Sequence, residues 1–480
     1  MRVVTAAQMR AIDRAAVLRD GEDALMRAAG AAIAQLIDRY ASGTGPVVAV
    51  AGRGNNGGDA RAAAAAYTGA RAVHVVEAGA ADARALQGAS LVLDGVLGVN
   101  ARLPLDLASA RAVRAMAGCG APILALDVPT GIDPSTGEAG ADAVRAVATI
   151  AFGRPKRGVF LEPGRAYAGE LWCAPLGMRD GDADGVDDPP LFVLDAGEFA
   201  ALLPRRDGAS DKRSAGAPLI IAGSTQFPGA AVLAAWGAAR AGAGYVTVAA
   251  PEGAAAALRA HLVEQVVVTY DERDPAAAVR TILELSSRSS AIGIGPGMGL
   301  SDAAGAVVNG VIAGTDLPIV ADASALFHLA KRLAGYRAKR LVLTPHAGEF
   351  ARLSGRGSVP PNERLGRLRA FVDEYAIVTL LKGDVTLIGA PDATHVNPTG
   401  TSALATAGTG DVLTGVIATL LAQGLTPVDA ARAGAYWHGR AGHAALATRH
   451  RGVIARDVAD ALGEASRPVP AAPDLFALSG

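Results

Sequence analysis

Val47-Val48-Ala49-Val50-Ala51 is an unbroken apolar run, and it leads straight into Gly52-Arg53-Gly54-Asn55-Asn56-Gly57-Gly58-Asp59. Such a run reads as a parallel strand covered on both faces. The glycines after it let backbone approach a phosphate closely, and the N-terminus of a following helix favours negative charge. Gly52-Arg53-Gly54-Asn55-Asn56-Gly57 fits the dinucleotide-binding fingerprint. Glu77 follows about twenty residues later, at a strand end, where a ribose-binding acid belongs. The paired asparagines and Asp59 are not required by that fingerprint. Their oxygens suit hydrogen bonding or a hard cation. The alternative is a glycine turn with no ligand.

Working outward, Thr5 and Gln8 have capping-box spacing, and Met9, Ile12 and Ala16 share a helical face. A second helix is expected over Asp23–Ile37. Apolar strands are expected at Val73–Val76, Leu91–Asp94, Ile123–Asp127 and Val147–Phe152, separated by helical stretches. That alternation predicts a parallel sheet with helices on both faces, whose ligands bind beyond the carboxyl ends of the strands. Two strand ends there carry oxygen-rich segments: Asp94-Gly95-Val96-Leu97-Gly98-Val99-Asn100 and Asp127-Val128-Pro129-Thr130-Gly131-Ile132-Asp133. A carboxylate that ends an apolar strand is costly to bury without a task, although a helix cap or turn would also account for it. Three such segments converging on one sheet edge favour a site.

An acidic stretch, Arg179-Asp180-Gly181-Asp182-Ala183-Asp184 with Asp187, breaks the pattern and reads as a linker over residues 179–190. Strands then resume at Leu219–Ala222, Val246–Ala249, Ile292–Ile294, Ile319–Ala321, Leu341–Leu343 and Ile377–Leu381. The expected division is 1–178, the linker, 191–467 and a loose tail over 468–480. A chain of 480 residues is too long for one ordinary core. Its composition is globular, with 51% hydrophobic and 19% charged residues. With 45 basic and 46 acidic side chains it carries no charge pattern for nucleic acid or an anionic membrane. Cys119 and Cys173 lack metal-ligand spacing and read as free thiols in a reducing cytoplasm. No signal peptide and no uncharged apolar stretch of membrane-spanning length is seen.

The strongest single signal comes late: Ala405-Thr406-Ala407-Gly408-Thr409-Gly410-Asp411, followed by an apolar helix through Leu413, Val416, Ile417, Leu420 and Leu421. Backbone amides at such a helix start form a nest for a transferring phosphoryl group, and Asp411 can act as base toward an attacking hydroxyl. A plain N-cap role for Asp411 is the alternative. Gly223-Ser224 through Gly229-Ala230, Gly295-Pro296-Gly297-Met298-Gly299, Thr344-Pro345-His346-Ala347-Gly348-Glu349 and Lys382-Gly383-Asp384-Val385-Thr386 all follow strands. A lone histidine is more often structural, but His346 stands at the expected functional edge. Lys382 is either a surface charge or a phosphate contact.

The segments Ala24–Gly30, Gly54–Asp59, Asp94–Gly98, Leu126–Gly137 and Phe152–Lys156 together resemble the epimerase domain of bifunctional NAD(P)H-hydrate repair enzymes, over about Ala7–Gly177. The later segments, over Leu194–Leu462, resemble the ribokinase-like, ADP-dependent NAD(P)H-hydrate dehydratase domain. The resemblance implies two three-layer α/β domains in series, Rossmann-like and then ribokinase-like. It implies that Asn55, Asn56, Gly57, Gly58 and Asp59, with Gly98, Val99, Asn100, Ala101, Arg102, Leu103 and Pro104, hold the hydrate in the first. There Asn56, Asp94 and Thr130 would bind potassium, and Asp127 would be the acid/base. In the second domain Ala230, Gly297, His346 and Asp411 would contact the hydrate. Lys382, Gly383, Asp384, Val385 and Thr386, with Gly408, Thr409 and Gly410, would contact the nucleotide. The implied substrates are hydrated NADH and NADPH (NADHX and NADPHX), with ADP as phosphoryl donor, magnesium beside it, and a homo-oligomeric assembly. Ala60, Val99-Asn100, Ala347, Ala407 and the stretch Ala321-Asp322-Ala323-Ser324-Ala325, set against an Asp-Ala-Asp pattern, depart from the family, and none of them removes an ionisable catalytic group.

Three rival readings stay open. A small-molecule kinase fused to a dinucleotide-binding domain would release a stable phosphorylated product. A dinucleotide sensor would bind without turnover. A plain NAD dehydrogenase would leave the second set of motifs unexplained.

Overall fold

The computed structural model describes residues 1–183, 189–204, 212–337, 340–468 and 475–479. The chain folds as two compact units, one of residues 1–196 with 475–479 and one of residues 197–468.

The first unit is built on a seven-stranded sheet. Its spatial order is Phe476–Ala477, Glu170–Ala174, Ala148–Phe152, Ile123–Leu126, Leu91–Gly95, Val47–Ala51 and Val73–Glu77. All neighbours are parallel except the first pair. Val47–Ala51 is buried at every position. Its odd residues pack with Ile33, Leu36 and Ile37 of the helix Glu22–Tyr40, and its even residues with Val113 and Met116 of the helix Leu107–Gly118. This is the two-sided burial that an unbroken apolar run requires. From Val47–Ala51 the chain adds Val73–Glu77 on one side and then Leu91–Gly95 on the other. The resulting reversal opens a crevice at the carboxyl ends of these strands. The capping box is present: Thr5 Oγ1 accepts from Gln8 N at 3.3 Å and Gln8 Oε1 from Thr5 N at 3.0 Å. It starts the helix Ala6–Asp20, which buries Met9, Ile12 and Ala16.

In the second unit the order is Ala393–Asn397, Thr386–Ala390, Val378–Leu381, Leu341–Leu343, Ile319–Ala321, Ala291–Ile294, Pro218–Ile221, Thr247–Pro251 and Val266–Tyr270. The reversal falls between Pro218–Ile221 and Ala291–Ile294. Over the sheet, the helices Pro228–Arg240 and Thr409–Ala422 meet backbone to backbone. A Cβ on Gly237 would strike the Val412 carbonyl, and one on Gly415 the Ala234 carbonyl. This close approach fixes where the Gly408–Asp411 turn sits.

Four features differ from the sequence expectation. The tail over 468–480 is not loose where it is described. Phe476–Ala477 pairs antiparallel with Glu170–Ala174, and Leu475 and Leu478 are buried. The compact units divide at residue 196, five residues beyond the expected start at 191. The strand Ile123–Leu126 stops before Asp127, whose φ is +68°. Val385 is buried and Thr386 opens an antiparallel hairpin, Thr386–Ala390 with Ala393–Asn397, that no motif announced. Residues 184–188 of the expected linker lie outside the described residues; Asp180–Ala183 forms a short 3-10 turn.

Candidate active sites

In the first unit a cavity of about 760 Å³ opens at the strand ends. Asn55, Asn56, Asp59, Gly98, Val99, Asn100 and Asp127 line it, joined by Asp13 and Lys156. Asp127 is the pivot. Its left-handed backbone is unusual for a residue with a Cβ, and such strain concentrates at functional positions. Oδ2 accepts from Val99 N at 3.1 Å, and Oδ1 is ion-paired with Lys156 Nζ. Lys156 is buried, and Nζ also donates to the Phe152 carbonyl at 2.7 Å. Two further carboxyls face this pair. Burial, then the Asp127 charge, pushes Asp59 up to about 7. Burial pushes Asp13 up to about 6, with Lys156 opposing and Asp127 reinforcing. One cavity thus holds a cation-paired carboxylate together with two carboxyls whose pKa burial raises toward neutrality, a division suited to acid/base work.

Beside it, Asp94 is fully buried. Its Oδ2 accepts from Thr130 N at 2.8 Å and its Oδ1 from Thr130 Oγ1 at 2.7 Å. Burial raises its pKa to about 6 even against those hydrogen bonds. Asn56 Nδ2 donates to the carbonyls of Leu97 and Leu126 at 2.9 and 3.1 Å, and its buried Oδ1 has no partner among the described residues. Asn56 and Thr130 thus both bond to the Leu97 backbone, and Thr130 is bonded to Asp94, so the three expected residues are neighbours.

Other expected residues serve packing. Gly57 lies against Gly52, and Gly58 against Met26. Ala60 covers Gly95, where a Cβ would come within 2.7 Å of it. Ala101, Arg102, Leu103 and Pro104 continue the loop beyond the cavity wall. Glu77 lines the cavity at its open side and pairs with Arg61 at 2.7 Å.

In the second unit Gly408, at φ +92°, caps the helix Thr409–Ala422. Asp411 is therefore the third helical residue, and the plain N-cap reading is excluded. Burial, then the neighbouring Asp322 carboxylate, pushes Asp411 up to about 7, with Lys382 opposing. Lys382 Nζ lies 2.8 Å from Asp322 Oδ1. A Cβ on Gly410 would stand 3.5 Å from both Asp322 Oδ2 and Lys382 Nζ, so these charges lie under the glycine turn. Gly297, at φ +65°, packs on Ala230; a Cβ there would lie 2.8 Å from the Ala230 Cβ. His346 caps the helix Ala347–Ser354: its Nδ1 accepts from Gly348 N at 3.0 Å and Glu349 N at 3.3 Å. It pairs with Lys382 across the strand ends. Gly383 is required by Arg364, whose guanidinium donates to the Lys382 carbonyl at 3.0 Å and fills the space of a Cβ. Asp384 is exposed beside it.

The motif reading missed Asp13, Lys156 and Asp322 as site members. Asp13 comes from a helix that periodicity alone describes. Lys156 follows a strand, in a run of basic residues. Asp322 ends an apolar strand, as Asp94 does, and that signal could have found it.

The family model described as NAD(P)H-hydrate dehydratase matches residues 218–464, and that described as YjeF-related protein N-terminus matches residues 22–82 and 71–158. The chain is 37% identical to the bifunctional NAD(P)H-hydrate repair enzyme Nnr of Mycobacterium tuberculosis, covering 87% of this chain and 88% of that protein. It is 33% identical to the enzyme of the same name from Moorella thermoacetica, covering 96% of each. Among solved structures, the ADP/ATP-dependent NAD(P)H-hydrate dehydratase of Bacillus subtilis, co-crystallised with ATP and Mg2+, matches at TM-score 0.50 and 34% identity, covering 56% of this chain and 95% of that one. A ribokinase-like superfamily protein from Enterococcus faecalis matches at TM-score 0.51 and 27% identity, covering 57% and 95%. Two acid-lined strand-end sites on two α/β units, matched over nearly the whole length by these relatives, make this chain a member of the bifunctional NAD(P)H-hydrate repair enzymes.

Proposed function

We propose that the first unit interconverts the R and S hydrates of NADH and NADPH, and that the second dehydrates the S form at the expense of ADP. The observation that carries this reading is the stack in the second unit: Asp411 and Lys382 with Gly408–Gly410 between and above them. A phosphoryl group resting on the turn's amides meets a helix N-terminus and a lysine, both complementary to its charge. Asp411 takes the proton from the hydroxyl on carbon 6 of the hydrated ring. The hydroxyl oxygen bonds to the β-phosphorus of ADP, the bridging P–O bond breaks, and AMP leaves. The C6–O bond then breaks to release phosphate, a far better leaving group than hydroxide. Loss of a proton from carbon 5 restores the ring double bond. Magnesium with the nucleotide would neutralise charge on the transferring phosphates. Ala230 and Gly297 border the hydrate, and Lys382 with Gly383, Asp384, Val385 and Thr386 borders the nucleotide.

In the first unit Asp127, ion-paired with Lys156, is the acid/base at the hydrated carbon, and Asn55, Asn56, Asp59, Gly98, Val99 and Asn100 surround the substrate. The unpartnered Asn56 Oδ1 and the oxygens of Asp94 and Thr130 fit potassium, a hard monovalent cation, which would add positive charge to a buried, acid-rich floor.

The test supplies both hydrate epimers with ADP and magnesium and follows the returning absorbance of NADH. Complete recovery from the mixture, with one AMP and one phosphate per NADH, is expected. A stable phosphorylated hydrate would establish the kinase reading instead.

A further inference from the structure

We propose that Asp322 is a positioning residue for phosphoryl transfer: it holds Lys382 and Thr414 in register beneath the Gly408–Asp411 turn. The proposal rests on the dehydratase reading of the second unit and adds to it a residue that touches neither substrate.

Asp322 follows the strand Ile319–Ala321 and is buried. Its backbone is locked in place: Asp322 N donates to the Ile294 carbonyl at 3.0 Å, and Gly295 packs on the Asp322 carbonyl. Both carboxylate oxygens are used. Oδ1 accepts from Lys382 Nζ at 2.8 Å, and Oδ2 lies 3.0 Å from Thr414 Oγ1. Thr414 is itself buried one turn into the Thr409–Ala422 helix, with Oγ1 3.1 Å from the Gly410 carbonyl. Asp322 therefore joins the strand that bears Lys382 to the helix that bears Asp411. Glycine at 410 leaves only 3.5 Å between the position of a Cβ and this ion pair.

Stability alone does not explain such a pair. The buried Asp322 carboxylate and the partly buried Lys382 ammonium lose hydration, and apolar residues of similar volume often hold a fold as well. Set under an anion nest, however, the pair fixes a lysine that would otherwise swing on a flexible stem. The same carboxylate bears on Asp411. The groups facing Asp411 are Asp322 and Lys382; Glu349 acts on Lys382, and buried His438, on the helix Pro427–Arg449, adjoins Thr409. His438 is pushed down to about 4 by burial and is neutral at working pH. Burial raises Asp411 most, and Asp322 is the negative neighbour that adds to it, toward the neutral range where a general base is most effective.

The experiment uses the full chain with the S hydrate and ADP–magnesium, comparing D322N, T414V and T414S. Wild-type turnover checks the underlying reading, so inactivity of the parent would be distinguished from a failure of this inference. Epimerisation by the first unit reports intact chain in every variant. D322N is expected to lower kcat by ~tenfold or more while the KM for ADP moves less than ~threefold. The acidic limb of its kcat–pH profile should move to lower pH, because Asp411 loses a like charge and gains Lys382. T414V should lower kcat by a smaller factor at the same KM, and T414S should behave as the parent. A D322N enzyme with parental kcat and pH profile would overturn the proposal. So would a loss accompanied by a lower melting temperature and an unmoved acidic limb, which marks a merely structural role. Should D322N fail to fold, T414V turning over like T414S would overturn it as well.

Discussion

Removing the Asp127 carboxylate has two separable effects. D127N should lower epimerisation by ~hundredfold or more while S-hydrate dehydration continues. It also strands Lys156 as a buried cation, a loss of about 3–5 kcal/mol in comparable buried pairs. The double variant D127N/K156M should therefore regain most of the lost melting temperature and none of the epimerase rate. Recovery of activity in that variant would show that another group moves the proton. Asp411 behaves in the opposite sense. Its raised pKa means that the folded state favours the protonated carboxyl, so its contribution to stability is full at acid pH and is lost as pH rises through about 7. D411N should melt higher than the parent at pH 8 and equally at pH 4, while dehydration falls by ~hundredfold or more. A capping aspartate would show neither change, since asparagine caps as well. The kcat of the parent dehydratase should fall as pH drops below about 7, as Asp411 takes up its proton. Much of this chemistry was legible from glycine-flanked acids at strand ends, which is how Asp94, Asp127 and Asp411 stood out. Lys156 and Asp13 did not, because what gives them meaning is proximity to Asp127 across the fold, and no local pattern encodes that.

At the scale of elements, strands buried on both faces declared themselves, since an uninterrupted apolar run has few other uses. The two-stranded hairpin Thr386–Ala390 and Ala393–Asn397 escaped notice because Gly389 and the polar residues of the second strand dilute its pattern. The edge strand Phe476–Ala477 escaped because two residues after a proline- and alanine-rich stretch carry no periodicity. Yet that strand contributes. Leu475 is 1% exposed and Leu478 0%, against the sheet of the first unit. Each buried leucine stabilises by about 1.5–3 kcal/mol. A chain ended at residue 468 should lose several degrees from the melting of the first unit, and the second unit's transition should stay in place. An unchanged first transition would show that the strand is dispensable.

For the molecule as a whole, the two units divide the labour of the proposed repair. A fragment of residues 197–468 should fold alone and recover NADH from the S hydrate, leaving the R hydrate to its spontaneous rate. Faster consumption of R by that fragment would refute the division. The reciprocal fragment, residues 1–196, is not an equal half, because its sheet is completed by residues 475–479. The consequence reaches into biosynthesis. On the ribosome, residues 1–196 emerge first, yet their sheet lacks an edge until some 280 further residues have been added, roughly 15–60 s at ordinary elongation rates. The second unit has its whole sequence before the first does, so the domain translated later is the one able to finish folding earlier.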